Sequence, residues 1–262
     1  LADSDATGTG RLDLDRLTVN AGSGDILIRG ETMSWGTSDA VEIPILIGTG
    51  GLTIEPSDQS FGQDPNFTSW MKLDDDDAAF TSLTLGKSSN TANMTLGVNA
   101  FGVGTTSVSV NGPITIYGGD IAVSQDLTST PSGGDILLKG SGNITLAASK
   151  SIVTNGGDIT LWSNSDGNGG YITLANSTTL DSRTSADRTA NNGSADDAGG
   201  GAITLGGGSA SATLASGTVV PTGYALKATG DQVGGVELGT SGNASISLIS
   251  GGGNITLRGK ST

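Results

Sequence analysis

The sequence predicts an all-β fold, a right-handed parallel β-helix (solenoid) with irregular loop insertions, and three observations carry that prediction. A short unit recurs along the 262 residues: Gly, then Asp or Asn, then apolar, any residue, apolar. In the clearest stretch, successive strands start at Ile136, Ile144, Ile152 and Ile159, steps of seven or eight residues. Glycine supplies 44 residues while the aromatics make up only 4%, a composition suited to tight corners around a narrow aliphatic interior.

Taken in chain order, the unit first appears as Gly24-Asp25-Ile26-Leu27-Ile28. It returns at Gly119-Asp120-Ile121, Gly134-Asp135-Ile136, Gly142-Asn143-Ile144, Gly157-Asp158-Ile159 and Gly253-Asn254-Ile255. Looser copies lie between, including Leu83-Thr84-Leu85, Met94-Thr95-Leu96, Ile114-Thr115-Ile116, Ile172-Thr173-Leu174 and Ile203-Thr204-Leu205. Apolar residues two apart place both side chains on one face and the residue between them on the other, which is the pattern of a half-buried strand. Helices are opposed by the glycine density and by the lack of i, i+3, i+4 apolar spacing. Gly-Gly-Asp and Gly-Asn lead straight into the next strand, which reads as a corner, with positive φ as the reason for glycine. Three sides per turn make a coil of roughly 20 to 25 residues, the spacing of a solenoid. Ten or so coils would form a rod on the order of 50 Å long. A β-sandwich is the alternative, because short alternating strands with turn signals also suit one.

The whole chain, 1–262, reads as one solenoid segment with insertions near 55–80, 181–200 and 215–234. The first holds Pro56, Phe61, Pro65, Phe67, Trp70 and the run Asp74 to Asp77; the second is polar and rich in Gly, Asn and Asp; the third contains Pro221, Gly223 and Tyr224. Gly22-Ser23-Gly24-Asp25-Ile26-Leu27-Ile28-Arg29-Gly30 matches Gly251-Gly252-Gly253-Asn254-Ile255-Thr256-Leu257-Arg258-Gly259, displaced by 229 residues. No amphipathic helix or polar cap follows Leu257, so the expectation is one unit of a longer array, or a subunit that meets further copies end to end.

Units such as Gly156-Gly157-Asp158-Ile159-Thr160-Leu161-Trp162-Ser163-Asn164-Ser165-Asp166-Gly167 resemble those of large bacterial exoproteins of the filamentous haemagglutinin type, over most of residues 81–262. The resemblance implies a secreted, surface-associated right-handed β-helix used in adhesion, matrix or fibre formation. It places the protein outside the cell or on a bacterial surface.

Composition excludes several chemistries. With no Cys and no His there are no disulfides, no thiolate or imidazole metal ligands and no His-based triad. A net charge of −14 repels nucleic acid and anionic membranes and favours cations, and no apolar run approaches the ~20 residues that cross a bilayer.

Asn164, Asp166 and Asn168 space oxygen-bearing side chains around Gly167 as a calcium loop does, although the terminal bidentate Glu is missing; a solvated turn explains the same residues. Calcium is the one ion offered a place, and no cofactor is required. The run Asp74 to Asp77 is a second cation candidate, set against an exposed loop. Asp181, Arg183, Asp187 and Arg188 could act as acid, base and oxyanion partners in a polysaccharide lyase or hydrolase, or form a charged insertion.

Outward threonines at 115, 145, 160, 173, 204 and 256 would stack into a ladder, which β propensity explains without a ligand. The Asn-x-Ser/Thr sequons, such as Asn143-Ile144-Thr145, follow from the repeat itself. The expected function is a non-enzymatic extracellular structural or adhesive solenoid that extends a surface fibre, sheath or matrix filament. Its expected partners are copies of itself or adjacent repeats end to end, surface polysaccharide, or a host or neighbouring cell surface. The alternative is a carbohydrate-active β-helix.

Overall fold

The computed structural model describes residues 11–14, 17–34, 44–67, 72–73, 80–97, 107–190, 198–227, 234–240 and 245–261. Among them the chain visits three sheets in turn. The first face stacks Ile26–Arg29, Gly51–Glu55, Ser82–Leu85, Ile114–Gly118, Ile136–Gly140, Ile159–Ser163, Ile203–Thr213 and Ile255–Leu257. The second face runs from Asn66–Phe67 through Met94–Leu96, Ile121–Val123, Ile144–Leu146 and Ile172–Leu174 to Val236–Leu238. The third runs through Ser107–Val110, Asp126–Ser132, Ser151–Asn155 and Thr179–Asp181 to Ser247–Ile249. At the N-terminal side, Arg11–Asp13 pairs with Thr32–Ser34, and Thr18–Asn20, Ile45–Ile47 and Lys72–Leu73 form a small sheet. By chain order these continue the second and third faces.

Ile136, Ile144, Ile152 and Ile159 thus fall on the first, second, third and again the first face. Every ladder among the described residues is parallel except the hairpin of Ile203–Thr213 with Val219–Gly223 and the single bridge between Gly170 and Leu226. That excludes the sandwich, whose hairpin-linked sheets are antiparallel, and the fold is a parallel β-helix.

Identical registers place like on like. Ile114, Ile136, Ile159 and Ile203 form one inward column and Ile116, Leu138, Leu161 and Leu205 another, all buried. Burying an aliphatic side chain of this size stabilises by about 1.5–3 kcal/mol, and the core is a continuous stack of them.

The coil step is 22 residues from Ile114 to Ile136 and 23 from Ile136 to Ile159, but 44 from Ile159 to Ile203. Insertions therefore absorb chain that would otherwise build coils. The first face has eight rungs, about 34 Å at the usual strand spacing, shorter than the rod expected from uninterrupted coils.

In Gly-Gly-Asp the two glycines have different tasks. Gly133 and Gly156 take positive φ, at 75° and 80°. Gly134 and Gly157, which follow them, do not; a Cβ on Gly157 would collide with the carbonyl of Gly134 in the rung below, and one on Gly201 with that of Gly157. The corner thus needs one glycine for its dihedral and another for close approach of backbones, where positive φ alone was the expected reason.

The insertion expected at 181–200 contains a short helix, Ser185–Ala190, capped by Thr184, whose hydroxyl accepts the Asp187 N–H at 3.1 Å and donates to Asp187 Oδ2 at 2.7 Å. The irregularity expected at 215–234 opens earlier. At Gly206-Gly207-Gly208 the first-face strand leaves the stack as a hairpin, and the chain rejoins at Ala225–Lys227, which pairs with Gly259–Ser261. Trp70 and Asp74 to Asp77 lie outside the described residues.

Candidate functional site

The corner column is the most regular polar feature. At ten corners an Asp or Asn side chain accepts a backbone N–H from the rung above it. Asp25 serves Gly51, Asp64 serves Asn93, Asn93 serves Asp120, Asp120 serves Asn143 and Asn143 serves Tyr171. Asp126, Asp135, Asn155, Asp158 and Asn176 do the same for Ser151, Asp158, Ser185, Ala202 and Thr240. The strand-initiating Asp or Asn is thus an inter-rung bracket. The sequon residues Asn93 and Asn143 belong to this bracket, which gives their repetition a structural cause.

Asp135 and Asp158 each use their second oxygen as well. Thr218 Oγ1 donates to Asp135 Oδ2 at 2.9 Å, and Ser216 Oγ donates to Asp158 Oδ2 at 2.6 Å. The tip of the hairpin is therefore fastened to two successive corners, and the arm lies back across the outside of the first face. Beneath it Thr160 and Thr204 are buried, with only 1% and 3% of their surface exposed, and Thr160 Oγ1 has no hydrogen-bond partner. The expected outward threonine ladder is accordingly interrupted at these two rungs.

Trp162, also buried, donates Nε1–H to Gly208 O at 2.8 Å, and Lys139 Nζ sits 3.9 Å from the centre of its ring. Burial pushes the Lys139 amine below its ordinary value and the Tyr117 hydroxyl above its own. It also raises Asp135, the dominant effect there, helped by the negative charge of Asp158 and opposed by the hydrogen bonds from the Asp158 N–H and Thr218.

Three of the four charged residues singled out in the second insertion come together. Asp181, buried, receives Arg183 Nη2 at 2.8 Å and Nε at 3.1 Å, with Arg188 Nη1 at 3.6 Å. Arg188 also donates to Thr154 O at 2.7 Å and to Arg183 O at 2.5 Å. Asp187 stands apart at the helix start. Glycoside chemistry needs two carboxylates facing one bond, whereas Asp181 ties Arg188 of the helix to the coil and Asp187 caps its own helix through Thr184.

In the loop near Gly167, Asn164 is buried with φ 52°. Its Oδ1 accepts the Gly169 N–H at 2.6 Å and its Nδ2 donates to Tyr224 O at 3.2 Å. Asp166 accepts from the Asn168 backbone and side chain at 3.0 and 2.8 Å. Asp166 and Asn168 are thus paired on the surface, while Asn164 is built into the corner. Among the described residues no three Asp, Glu, His or Cys side chains cluster as metal ligands do, and no helix is long and apolar enough to cross a membrane.

Sequence reasoning missed the clasp of Ser216 and Thr218 on Asp135 and Asp158. The sequence marks only where the arm departs, since Gly206-Gly207-Gly208 follows Ile203-Thr204-Leu205 where the repeat would supply Asp or Asn, and not where its tip lands. Compared with family models, curated proteins and solved structures, the chain matches none.

Proposed function

We propose that the chain is a non-enzymatic structural or adhesive β-solenoid of a bacterial surface, extending a fibre, sheath or matrix filament through strand-on-strand stacking. The observation that carries this reading is the eight-rung parallel ladder of the first face, in which Asp25, Asp135 and Asp158 each bracket the rung above. Such a ladder resists extension along its axis because backbone bonds, side-chain brackets and core columns all share the load. The engagement of Asp181 and Asp187 in holding their own insertion supports a structural task for those carboxylates. Calcium enters this reading as a bridge at Asp166 and its neighbours, and the acidic exterior limits lateral aggregation.

Electron microscopy of native cell-surface material beside the isolated chain, at matched calcium and chelator concentrations, tests the reading. Long thin fibres are expected, and their loss on chelation would give the loop of Asn164, Asp166 and Asn168 a functional ion. Discrete rods under all conditions, together with cleavage of acidic polysaccharide that is abolished by D181N, would replace this reading with the carbohydrate-active one.

A further inference from the structure

We infer that the open part of the first face beside the arm, where Tyr117 and Lys139 stand in adjacent rungs, binds the carboxylate of a sparsely charged, uronic-acid-bearing polysaccharide. The inference rests on the adhesive reading above and names its ligand class and its site.

The first argument is charge. Tyr117, Lys139 and Trp162 are in register in three successive rungs, and Lys139 Nζ is held 3.9 Å from the centre of the Trp162 ring. Among the described residues no carboxylate and no hydrogen-bond acceptor meets that ammonium, whereas Arg29, Arg183 and Arg188 each have a carboxylate partner. In a chain of net charge −14 acid is abundant, yet this half-buried cation is given none of it. Burial lowers its amine, so an anion brought to it would offset what desolvation costs.

The second argument is shape. Thr53, Thr84, Thr115 and Leu137 form one outward column, half-buried and in register, spaced by about 4.8 Å as strands are. The column meets the arm at the next rung, where Thr160 is buried. Thr218 fastens the arm to Asp135, at the head of the strand that carries Leu137 and Lys139, so the arm is a wall along one side of a shelf. The shelf offers threonine hydroxyls, Leu137 and the half-buried ring of Tyr117, whose own hydroxyl has no hydrogen-bond partner among the described residues. A pyranose chain matches this mixture, with C–H faces for the leucine and the ring and hydroxyls for the threonines. An extended peptide would need an open backbone edge, and both rungs of the shelf are already paired on either side.

The third argument is charge density. A single lysine is a point charge, without the fork that grips sulfate or phosphate in two places. The negative field of the whole chain opposes a densely sulfated polymer. One carboxylate flanked by neutral sugar satisfies both conditions.

Fluorescence anisotropy of an end-labelled hyaluronan hexasaccharide, which alternates a uronic acid with a neutral sugar, tests the assignment on the full chain. The wild type should bind it, and K139M, which keeps the length of the stem and removes its charge, should bind roughly 10- to 100-fold more weakly with unchanged far-ultraviolet dichroism. As an unlabelled competitor, the hexasaccharide with its carboxyls reduced to hydroxymethyl groups should be weaker by a similar factor, a result that needs no variant. Equal affinity of the wild type for the acidic and the reduced sugar, or of wild type and K139M for the acidic one, would overturn the site. Tighter binding of a heparin hexasaccharide would overturn the sparse-charge assignment. Absence of binding by the wild type at every accessible concentration would overturn the inference outright and leave the fibre to be judged by microscopy. Discrete rods that still bind through Lys139 would remove the fibre and keep this site.

Discussion

Asp135 accepts the Asp158 N–H at 2.7 Å with one oxygen and the Thr218 hydroxyl at 2.9 Å with the other. Burial nevertheless raises its carboxyl above the usual range, with the charge of Asp158 adding to the effect. The folded value thus lies above the unfolded one, so the fold binds a proton more readily than the unfolded chain does. By linkage, this group's contribution to stability is full below the unfolded value near 4. It declines as pH rises through the raised folded value. Denaturant titrations of wild type and D135N from pH 7 to pH 4 should therefore show wild type gaining on the variant as the solution is acidified. A gap between them that stays constant with pH would mean that Asp135 titrates alike in both states. Gly157 shows a second residue-scale constraint, because G157A would drive a Cβ into the carbonyl of Gly134.

Among the elements, the hairpin of Ile203–Thr213 and Val219–Gly223 departs from the solenoid. Its outer strand carries Pro221, which has no N–H to donate and so blunts the free edge. Its tip is held by two hydroxyl-to-carboxylate bonds, each worth about 1.5–3 kcal/mol as a bond to a charged group. In S216A/T218A the arm should lift from the first face and expose the Trp162 ring. The difference spectrum against the same variant carrying W162F should shift to the red, and a protease should cut between 209 and 217. The main unfolding transition should move little, since the parallel ladder is untouched. An unchanged Trp162 spectrum would show that the base of the hairpin holds the arm without its tip.

The same element marks how far the sequence could be read. Strand identity, three-sided periodicity and the inward columns were legible at Ile136, Ile144, Ile152 and Ile159, because each depends on spacing along the chain. The clasp was not legible, since Thr218 meets Asp135 from 83 residues away and nothing local encodes that encounter. Asn164 was legible as a turn residue, but its burial depends on Gly142 and Tyr224 from other parts of the coil. Asp181, Arg183, Asp187 and Arg188 were legible together as a charged insertion, and only the fold brings Asp181, Arg183 and Arg188 into one cluster and sets Asp187 apart.

For the whole molecule, stability should be graded along the axis, because a solenoid rung touches only its neighbours and the end rungs have one neighbour fewer. Ile159 lies mid-stack and is fully buried, whereas Ile255 keeps nearly half of its surface in water. I159A should cost about 2–5 kcal/mol, the usual range for an aliphatic truncation that leaves a cavity. In dilute solution I255A removes roughly half as much buried surface and opens no closed cavity, so its cost should stay below about 1.5 kcal/mol. Hydrogen exchange should follow the same order, slow at Ile159–Ser163 and fast at Ile255–Leu257. Equal exchange at the two strands would mean that the rungs open together as one cooperative unit.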